Sequence, residues 1–421
     1  MPDFLPFAGI HYDLTRFAGD VGAVVAPPYD VIDEDQRAAL EAADPHNSVR
    51  LILPREGAGG DRYRSAADTI AAWRADGILV SDPAPRFYGY RMDFEDEDGR
   101  PRHTQGVIGA LALAETGARP SDGASGAATV LPHERTMPKA KSDRLALLRA
   151  TRANLDPIWC LSLGTDLSGV LGAPRPALAT CVDQDGVRHR VDALEAPEQL
   201  AGVADAVGGA PIVIADGHHR FETACAYRDE RAGAGHHDPE AGRIMAFVVE
   251  LTDDELCVRA IHRVLTSLGG VDLRGALRGG FDVTGVGPNT PEGVESLRRR
   301  MDGDGGLGLV DRDGLALVRP RPQALRGRLE QIEGPARAVD ATLFETAIRP
   351  ELPGVDVGYR NDAGTVAALV EKGAADAAIL LRPVTVGQIR TAAFAGVRMP
   401  EKTSFFQPKP RTGMVLRRFD G

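Results

Sequence analysis

The chain has 421 residues with a formal net charge of −11 at pH 7, and 43% of its residues are hydrophobic. This size and composition predict a globular protein of two or three domains and exclude a disordered chain. The acidic balance argues against the broad basic surface that duplex DNA requires, so we expect no nucleic acid partner. No uninterrupted apolar stretch has the length that crosses a membrane.

The cysteines and the N-terminus indicate the cellular setting. The four cysteines form no CxxC pair, and the first residues lack the basic and apolar regions of a secretory signal. We therefore expect a soluble cytoplasmic protein without disulfides or a zinc ribbon, and its partners should be small molecules. The oligomeric state is left open.

The first part of the chain mixes helical and extended patterns. Helices are predicted for 33–43 and 62–76, and strands for 86–94 and 106–113. Before them, a short strand at 24–26 meets Pro27-Pro28, and a diproline favours an extended turn over a helix. This rigid bend holds Tyr29 and Asp30.

A charged segment that is poor in core residues contains His133, Glu134 and Arg135. A predicted helix over 142–152 follows it, and then a predicted strand over 157–163. A hairpin at Asp185-Gly186 and a short helix lead into the next strand.

The segment 211–224 is the most informative, because an apolar run stops at Asp216-Gly217-His218-His219-Arg220. The β-branched residues predict a buried strand, Gly217 permits a tight turn, and the later apolar spacing predicts a helix. A helix start favours an anion, and Arg220 adds a fork-shaped donor for phosphate. Each residue alone fits a helix cap or a solvated charge, but their grouping at a strand end indicates a functional site.

The C-terminal part alternates strands with helices. The predicted strands are 315–318 and 377–381, and the predicted helices are 366–372 and 386–395. A Gly-, Asp- and Arg-rich stretch with weak periodicity begins at 264, and we place a domain boundary at its start. The predicted fold is mixed α/β (α+β), with domains 1–262 and 263–421.

Lysine is rare, and four of the five lysines lie in two short segments. Two of them, Lys402 and Lys409, belong to the closing segment 399–410. An ammonium is more compact and more strongly hydrated than a guanidinium, so both are candidate phosphate ligands, although a charge run is usually solvated. We expect this segment to return to the first domain, with Phe405 and Phe406 as anchors and Lys402 near Asp216.

Four ordered segments resemble the bacterial and archaeal family catalogued as domain of unknown function 1015. They are 26–32, 133–136, 216–220 and 399–409. The element at 216–220 is also similar to a box of the ParB and sulfiredoxin superfamily, which includes free-serine kinases. The resemblance implies a ParB/sulfiredoxin-like catalytic half that binds the phosphates of a nucleotide or pyrophosphate.

Residue roles follow from this resemblance. Gly217, His218, His219 and Arg220 would hold phosphate, and Asp216 would face the reacting centre. Free-serine kinases also supply an acid that orients or deprotonates the substrate hydroxyl. No segment matches that motif, so Glu134 is our choice by composition. The candidate catalytic residues are Asp216, Glu134 and His219.

The leading hypothesis is a kinase that transfers a phosphoryl group from a nucleotide or pyrophosphate to a small-molecule hydroxyl, such as that of free serine. Asp216 would be either the base or a Mg²⁺ ligand, with Asp30 or Glu134 in the other role, and the candidate metal ligands are Asp216 and Asp30. The substrate contacts would come from Tyr29, His133 and Arg135.

Two alternatives remain. A metal-dependent phosphoester hydrolase would bind zinc or manganese through His218, His219 and His133. A nucleotide-binding regulatory module of the ParB kind would change conformation without turning over a small molecule.

Overall fold

In the computed structural model, the described residues are 1–57, 60–97, 99–113, 130–132, 141–236, 238–332 and 334–419. Their contacts divide them into two units, of which the first contains the described residues of 1–132, 141–257 and 408–419 and the second contains 258–407. The division falls after Cys257 rather than after residue 262, and the last segment groups with the first unit.

Twelve of the described strands of the first unit lie within residues 4–250. They are β1 (Phe4–Leu5), β2 (Ile10–Tyr12), β3 (Leu79–Ser81), β4 (Phe87–Glu95), β5 (Pro101–Ala112), β6 (Val130–Pro132), β7 (Ala153–Asn154), β8 (Ile158–Ser162), β9 (Ala177–Val182), β10 (Arg188–Leu194), β11 (Ile212–Asp216) and β12 (Arg243–Glu250). A mixed sheet has the order β6-β11-β8-β12-β5-β4-β10-β9, with β1 beside β5.

The middle of this sheet forms because its strands are apolar on both faces. β11 runs parallel to β6 and antiparallel to β8, while β12 is parallel to β8. Every residue of β8 is buried, and so are all but the first residue of β12. Near-continuous apolar runs are typical of strands that are covered on both sides.

Side chains cap two of the described helices of the first unit. They are α1 (Glu34–Ala43), α2 (Val49–Ile52), α3 (Arg62–Ala75), α4 (Lys141–Thr151), α5 (Leu167–Leu171), α6 (Pro197–Gly208) and α7 (His218–Gly233). Asp33 accepts from the backbone of α1 and Asp61 from that of α3, as expected for N-caps. The structure confirms the predicted helices at 33–43, 62–76 and 142–152.

The predicted short strand at 24–26 is wrong. Val24 and Val25 lie in a turn, and Ala26 makes only an isolated bridge to Thr412. The Asn47 side chain donates to the carbonyls of Ala23 and Val25 at 2.8 and 3.1 Å. These backbone groups are therefore satisfied without a neighbouring strand.

The segment 408–419 is held in the first unit by backbone pairing. Thr412 pairs with Ala26 and Leu416 with Ile10, and Arg417–Arg418 pairs antiparallel with Ala153–Asn154. This anchoring brings Lys409 into the first unit.

The second unit is an α+β fold in which helices pack on an antiparallel sheet. Its strands are β13 (Cys257–Arg259, whose first residue belongs to the first unit), β14 (His262–Thr266), β15 (Phe281–Gly287), β16 (Leu307–Asp311), β17 (Gly314–Pro320), β18 (Asp356–Arg360), β19 (Ala377–Leu380) and β20 (Phe405–Gln407). Its helices are α8 (Leu273–Leu277), α9 (Pro291–Asp304), α10 (Pro322–Leu329), α11 (Asp340–Leu343), α12 (Ala363–Glu371) and α13 (Val386–Phe394). An antiparallel sheet has the order β15-β17-β16-β19-β14-β18.

Two helices cover this second sheet. Leu297 and Met301 of α9 and Val366 and Val370 of α12 belong to one buried cluster with the sheet. The stretch with weak sequence periodicity therefore contains α9, which the sequence did not reveal. None of the described helices is long and apolar enough to cross a membrane.

Candidate functional site

The junction of β11 and α7 has the predicted order of strand, tight turn and helix. β11 ends at Asp216 and α7 begins at His218. The register between β11 and β8 shifts between Ile214 and Asp216, and such irregularities redirect side chains at strand ends. Asp216 is the one residue of β11 that is not buried.

Gly217 is the N-cap of α7, and no side chain caps this helix, so Asp216 does not act as the helix cap that a structural interpretation would assign to it. Its φ of 89° lies in the left-handed region, which glycine adopts without steric cost. A Cβ atom there would lie 2.8 Å from Ile158 Cγ2 and 3.0 Å from Arg220 Nε. Glycine therefore permits both the turn and the return of Arg220 toward the strand.

Arg220 joins the ends of two neighbouring strands. Its Nη2 donates to Asp216 Oδ2 at 2.9 Å, and its Nη1 donates to the Pro157 carbonyl at 2.7 Å. The same Nη1 also donates to a carboxylate oxygen of Asp156. The guanidinium is thus held between two carboxylates.

Lys409 reaches the same carboxylate from the C-terminal segment. Its Nζ donates to Asp216 Oδ1 at 2.6 Å, and its side chain is 12% exposed. Both oxygens of Asp216 therefore face a cation.

Burial and neighbouring charges act in opposite directions on these groups. Burial acts to raise the pKa of Asp216, but Lys409 and Arg220 outweigh it and hold this pKa well below its usual range. Burial raises the pKa of Asp156. For Arg220, burial acts to lower the pKa, but Asp156 and Asp216 raise it. Asp216 and Arg220 consequently remain charged at neutral pH.

The bend after the diproline lies beside this cluster. Tyr29 and Asp30 form a short 3-10 turn, and the Arg144 guanidinium lies 4.2 Å from the centre of the Tyr29 ring. Burial raises the pKa of Tyr29 to about 12, with Arg220 opposing it. Asp30 is close enough to Arg220 to raise the pKa of that guanidinium.

A small pocket of about 50 Å³ borders Arg220. Its apolar wall includes Ile52, Leu147, Leu148, Leu155 and Ile244, and its polar lining includes Arg144, Asp156, Arg220 and Thr223. Thr223 is 3% exposed, and its Oγ1 has no hydrogen-bond partner in the described part of the chain. The pocket places a small, partly apolar space next to charged groups.

The structure brings most of the predicted site residues into one cluster. These are Tyr29, Asp30, Asp216, Gly217, His218, His219, Arg220 and Lys409. His218 is close enough to Asp216 to help lower its pKa, and His219 lies in the first turn of α7.

The remaining four predicted residues are His133, Glu134, Arg135 and Lys402. His133, Glu134 and Arg135 fall outside the described residues, so their roles stay predictions. Lys402 belongs to the second unit, where its φ is 57° and its carbonyl accepts from Arg263 Nη1 at 3.0 Å. Its predicted role in phosphate binding also stays a prediction.

Sequence reasoning missed Asp156 and Arg144. Asp156 lies two residues before β8, and β8 pairs with β11. The available signal was therefore an acidic residue next to a predicted strand. Arg144 lies in α4 on the charged segment that the sequence singled out. Neither residue has a local motif.

The described residues contain no group of three His, Cys, Asp or Glu side chains arranged to hold a metal ion. The zinc or manganese set of the hydrolase alternative includes His133, which lies outside the described residues. His218 and His219 are therefore not part of a metal centre in the described chain.

These observations define a mixed α/β protein with a buried charge cluster where a glycine joins a strand to a helix. The chain belongs to the family described as "Protein of unknown function (DUF1015)", whose model matches residues 4–342. No curated protein matches the sequence.

Several solved structures are similar to this one at low identity. A conserved hypothetical protein from Pyrococcus furiosus has a TM-score of 0.35 and 13% identity, with 68% of this chain and 90% of that chain covered. Free serine kinase in complex with AMP gives 0.36 and 14%, covering 66% and 84%. SbnI with a C-terminal truncation, from Staphylococcus aureus, gives 0.37 and 13%, covering 67% and 81%. Likeness at this level transfers neither activity nor ligand.

Proposed function

We propose that the protein is a phosphotransferase that moves a phosphoryl group from a nucleotide or pyrophosphate to the hydroxyl of a small molecule such as free serine. The supporting observation is the convergence of three positive elements on Asp216. They are the start of α7, the Arg220 guanidinium and the Lys409 ammonium. Phosphoryl transfer chiefly requires placement and neutralisation of charge.

The phosphates would lie at the first turn of α7. Gly217 has no side chain that could cap this turn, and the helix dipole favours negative charge there. Arg220 and Lys409 would add charged donors, and His218 and His219 would line the turn. Lys402 remains a further candidate phosphate ligand.

The reaction needs a group that orients the acceptor and a group that removes its proton. The hydroxyl oxygen would bond to the terminal phosphorus, the bond from phosphorus to the bridging oxygen would break, and the donor would leave with that electron pair. Asp216, whose pKa is held low, is better suited to orient the hydroxyl than to remove its proton, because an effective base has a pKa near the working pH. Glu134 and His219 are our candidates for accepting the proton.

A Mg²⁺ ion would neutralise developing charge on the phosphates, and it prefers a few carboxylates together with phosphate oxygens. Both oxygens of Asp216 already accept hydrogen bonds from Lys409 and Arg220. The described residues therefore do not form a ready Mg²⁺ site, and no step above depends on a metal. Asp216 with Asp30 as metal ligands stays a prediction from the sequence.

The acceptor would approach along the bend that carries Tyr29. This ring lies under the Arg144 guanidinium, and Arg144 also lines the pocket beside Arg220. His133 and Arg135 are the remaining candidate substrate contacts.

The test is direct assay of the purified full-length chain. It is incubated with L-serine and with ATP, ADP or pyrophosphate in turn, with and without Mg²⁺, and phosphoserine is measured by ³¹P NMR. We expect one donor to give product and Asp216→Asn to lower kcat by about 100-fold or more. Asp35→Asn, an exposed residue in the first turn of α1, is the matched control and should retain full activity.

Two outcomes would reject the proposal. Absence of product with every donor across a panel of hydroxylated metabolites would remove the kinase. Nucleotide binding without any turnover would instead favour the regulatory module. A thermal melt of each variant separates loss of activity from loss of folding.

A further inference from the structure

We infer that Asp216 and a bound polyphosphate compete for Lys409, so that anion binding releases one oxygen of Asp216 for the acceptor. This inference rests on the proposed function and concerns the regulation of the same site. Lys409 is then a positioning residue that acts on the acceptor through Asp216. The ammonium keeps its proton throughout, and only its partner changes.

The contacts of Asp216 separate its two oxygens. Oδ1 accepts from Lys409 Nζ at 2.6 Å, while Oδ2 accepts from Arg220 Nη2 at 2.9 Å. An acceptor hydroxyl that is to be oriented by this carboxylate must share or replace one of these donors. Without a ligand, each oxygen of the Asp216 carboxylate therefore already accepts a hydrogen bond.

Arg220 is the donor that stays. Its guanidinium also holds Asp156 and the Pro157 carbonyl. Moving it would leave the buried Asp156 carboxylate without its counter-charge, which is costly. Arg220 can contribute an N–H to a phosphate only while it keeps these contacts.

Lys409 is the donor that can exchange. An ammonium on a flexible four-carbon stem rotates among partners more easily than a planar fork. Pro408 and Pro410 flank it, the Arg411 backbone N–H donates to Tyr90 Oη at 2.9 Å, and the next residue pairs with Ala26. The backbone is thus fixed, and the exchange requires only rotation of the side chain.

This competition has a measurable consequence. If Lys409 must leave Asp216 to bind phosphate, neutralising Asp216 should strengthen anion binding. The gain should depend on Lys409. If the Asp216 carboxylate only repelled the anion, its neutralisation would raise the anion affinity equally with and without Lys409.

The experiment is calorimetric titration with sodium pyrophosphate in EDTA. The proteins are the wild type, Asp216→Asn, Lys409→Met and the double variant, with Lys372→Met as the matched control at an exposed lysine of the second unit. We expect Asp216→Asn to bind about tenfold tighter than the wild type, but only about twofold tighter in the Lys409→Met background. Lys372→Met should match the wild type.

A second measurement needs no change at Asp216. Because the chain has only five lysines, lysine side-chain NMR gives a short list of signals. The Lys409 signal, assigned by its loss in Lys409→Met, should shift when pyrophosphate is added to the wild type. The Lys372 signal should not shift.

The outcomes separate the two proposals. Three outcomes would overturn the inference: Asp216→Asn raises the pyrophosphate affinity equally with and without Lys409, Asp216→Asn lowers that affinity, or the Lys409 NMR signal does not shift when pyrophosphate is bound. In each case, phosphoserine formation would still support the kinase. No binding of pyrophosphate to any protein would overturn the inference, whereas absence of phosphoserine with every donor decides against the kinase. If the affinity gain in Asp216→Asn depends on Lys409 but no phosphoserine forms with any donor, the exchange of Lys409 between Asp216 and phosphate is supported and the kinase is rejected.

Discussion

Two arginines, one in each unit, illustrate different uses of the same side chain. Arg263 in the second unit has no exposed surface, donates to the carbonyls of Ile261 and Lys402 at 2.6 and 3.0 Å, and lies 5.1 Å from the Tyr359 ring centre. Arg220 in the first unit meets two carboxylates at a helix start. Arg263 mainly holds backbone carbonyls, with one carboxylate, that of Glu345, 3.8 Å from its Nε. Arg220 lies between two carboxylates and forms a cluster of charges that a ligand can rearrange.

The largest effect is expected from Arg220→Met. Asp156 and Asp216 would lose a buried counter-charge, and the free energy of unfolding should fall by about 3–5 kcal/mol in urea denaturation. The matched control is Arg149→Met, because Arg149 is 49% exposed and pairs with exposed Glu230; it should change stability by no more than about 0.5 kcal/mol. Equal effects in the two variants would mean that Arg220 is not the centre of a buried cluster.

Arg263→Met tests the other side of the comparison. The carbonyls of Ile261 and Lys402 would lose a donor, and the free energy of unfolding should fall by about 2–3 kcal/mol. Pyrophosphate affinity should remain within about twofold of the wild type, because Arg220 and Lys409, the two charged donors that contact Asp216, belong to the first unit. A variant that kept its stability but lost pyrophosphate would place Arg263 in the site.

Gly217→Ala should cost about 2 kcal/mol, since it combines an unfavourable backbone conformation with contact on Ile158. Gly235→Ala is the matched control, because Gly235 also has a positive φ of 75° but no atom within 4 Å of the added Cβ. The control should cost about 1 kcal/mol by the same denaturation measurement. If both variants cost the same, the contact with Ile158 has no energetic role.

The smallest effect concerns pH. The pKa of folded Asp216 lies below the unfolded value of 3.8, so its stabilisation is complete above that value and is lost as the pH falls through the folded pKa. Burial raises the pKa of Glu345, beside Arg263, so this residue has the opposite dependence and favours the fold as the pH falls.

We therefore expect Asp216→Asn to flatten the acid-side loss of stability, by on the order of 1 kcal/mol, and Glu345→Gln to steepen it slightly. Urea denaturation between pH 5 and pH 2.5, about the range in which carboxylates titrate, measures both. The same slope in Asp216→Asn and the wild type would show that Lys409 and Arg220 do not stabilise the ionised carboxylate.

Local patterns in the sequence were sufficient to predict the junction at 216–220, because β-branched residues, one glycine and helical spacing act within a few neighbours. The cluster around it was only partly predictable. Asp156 precedes Asp216 by 60 residues, and only the pairing of β8 with β11 makes them neighbours. Local periodicity does not specify such pairing.

The C-terminal segment shows the same limit. The sequence predicted its return, and Lys409 lies at Asp216. The strand pairing that fixes 408–419 in the first unit, and the assignment of Lys402 to the second unit, depend on long-range contacts. The helix α9 was missed for a different reason, since Gly and Arg obscure the three buried residues, Val294, Leu297 and Met301, that face its sheet.

The separation of 193 residues between Asp216 and Lys409 has a consequence for synthesis. A ribosome that has just completed the strand bearing the carboxylate must translate the entire second unit before the lysine emerges. Closing a loop of this length is slow compared with local folding. Until that lysine emerges, the carboxylate has no ammonium partner from the C-terminal segment, so the junction can reach its final charge balance only late in biogenesis.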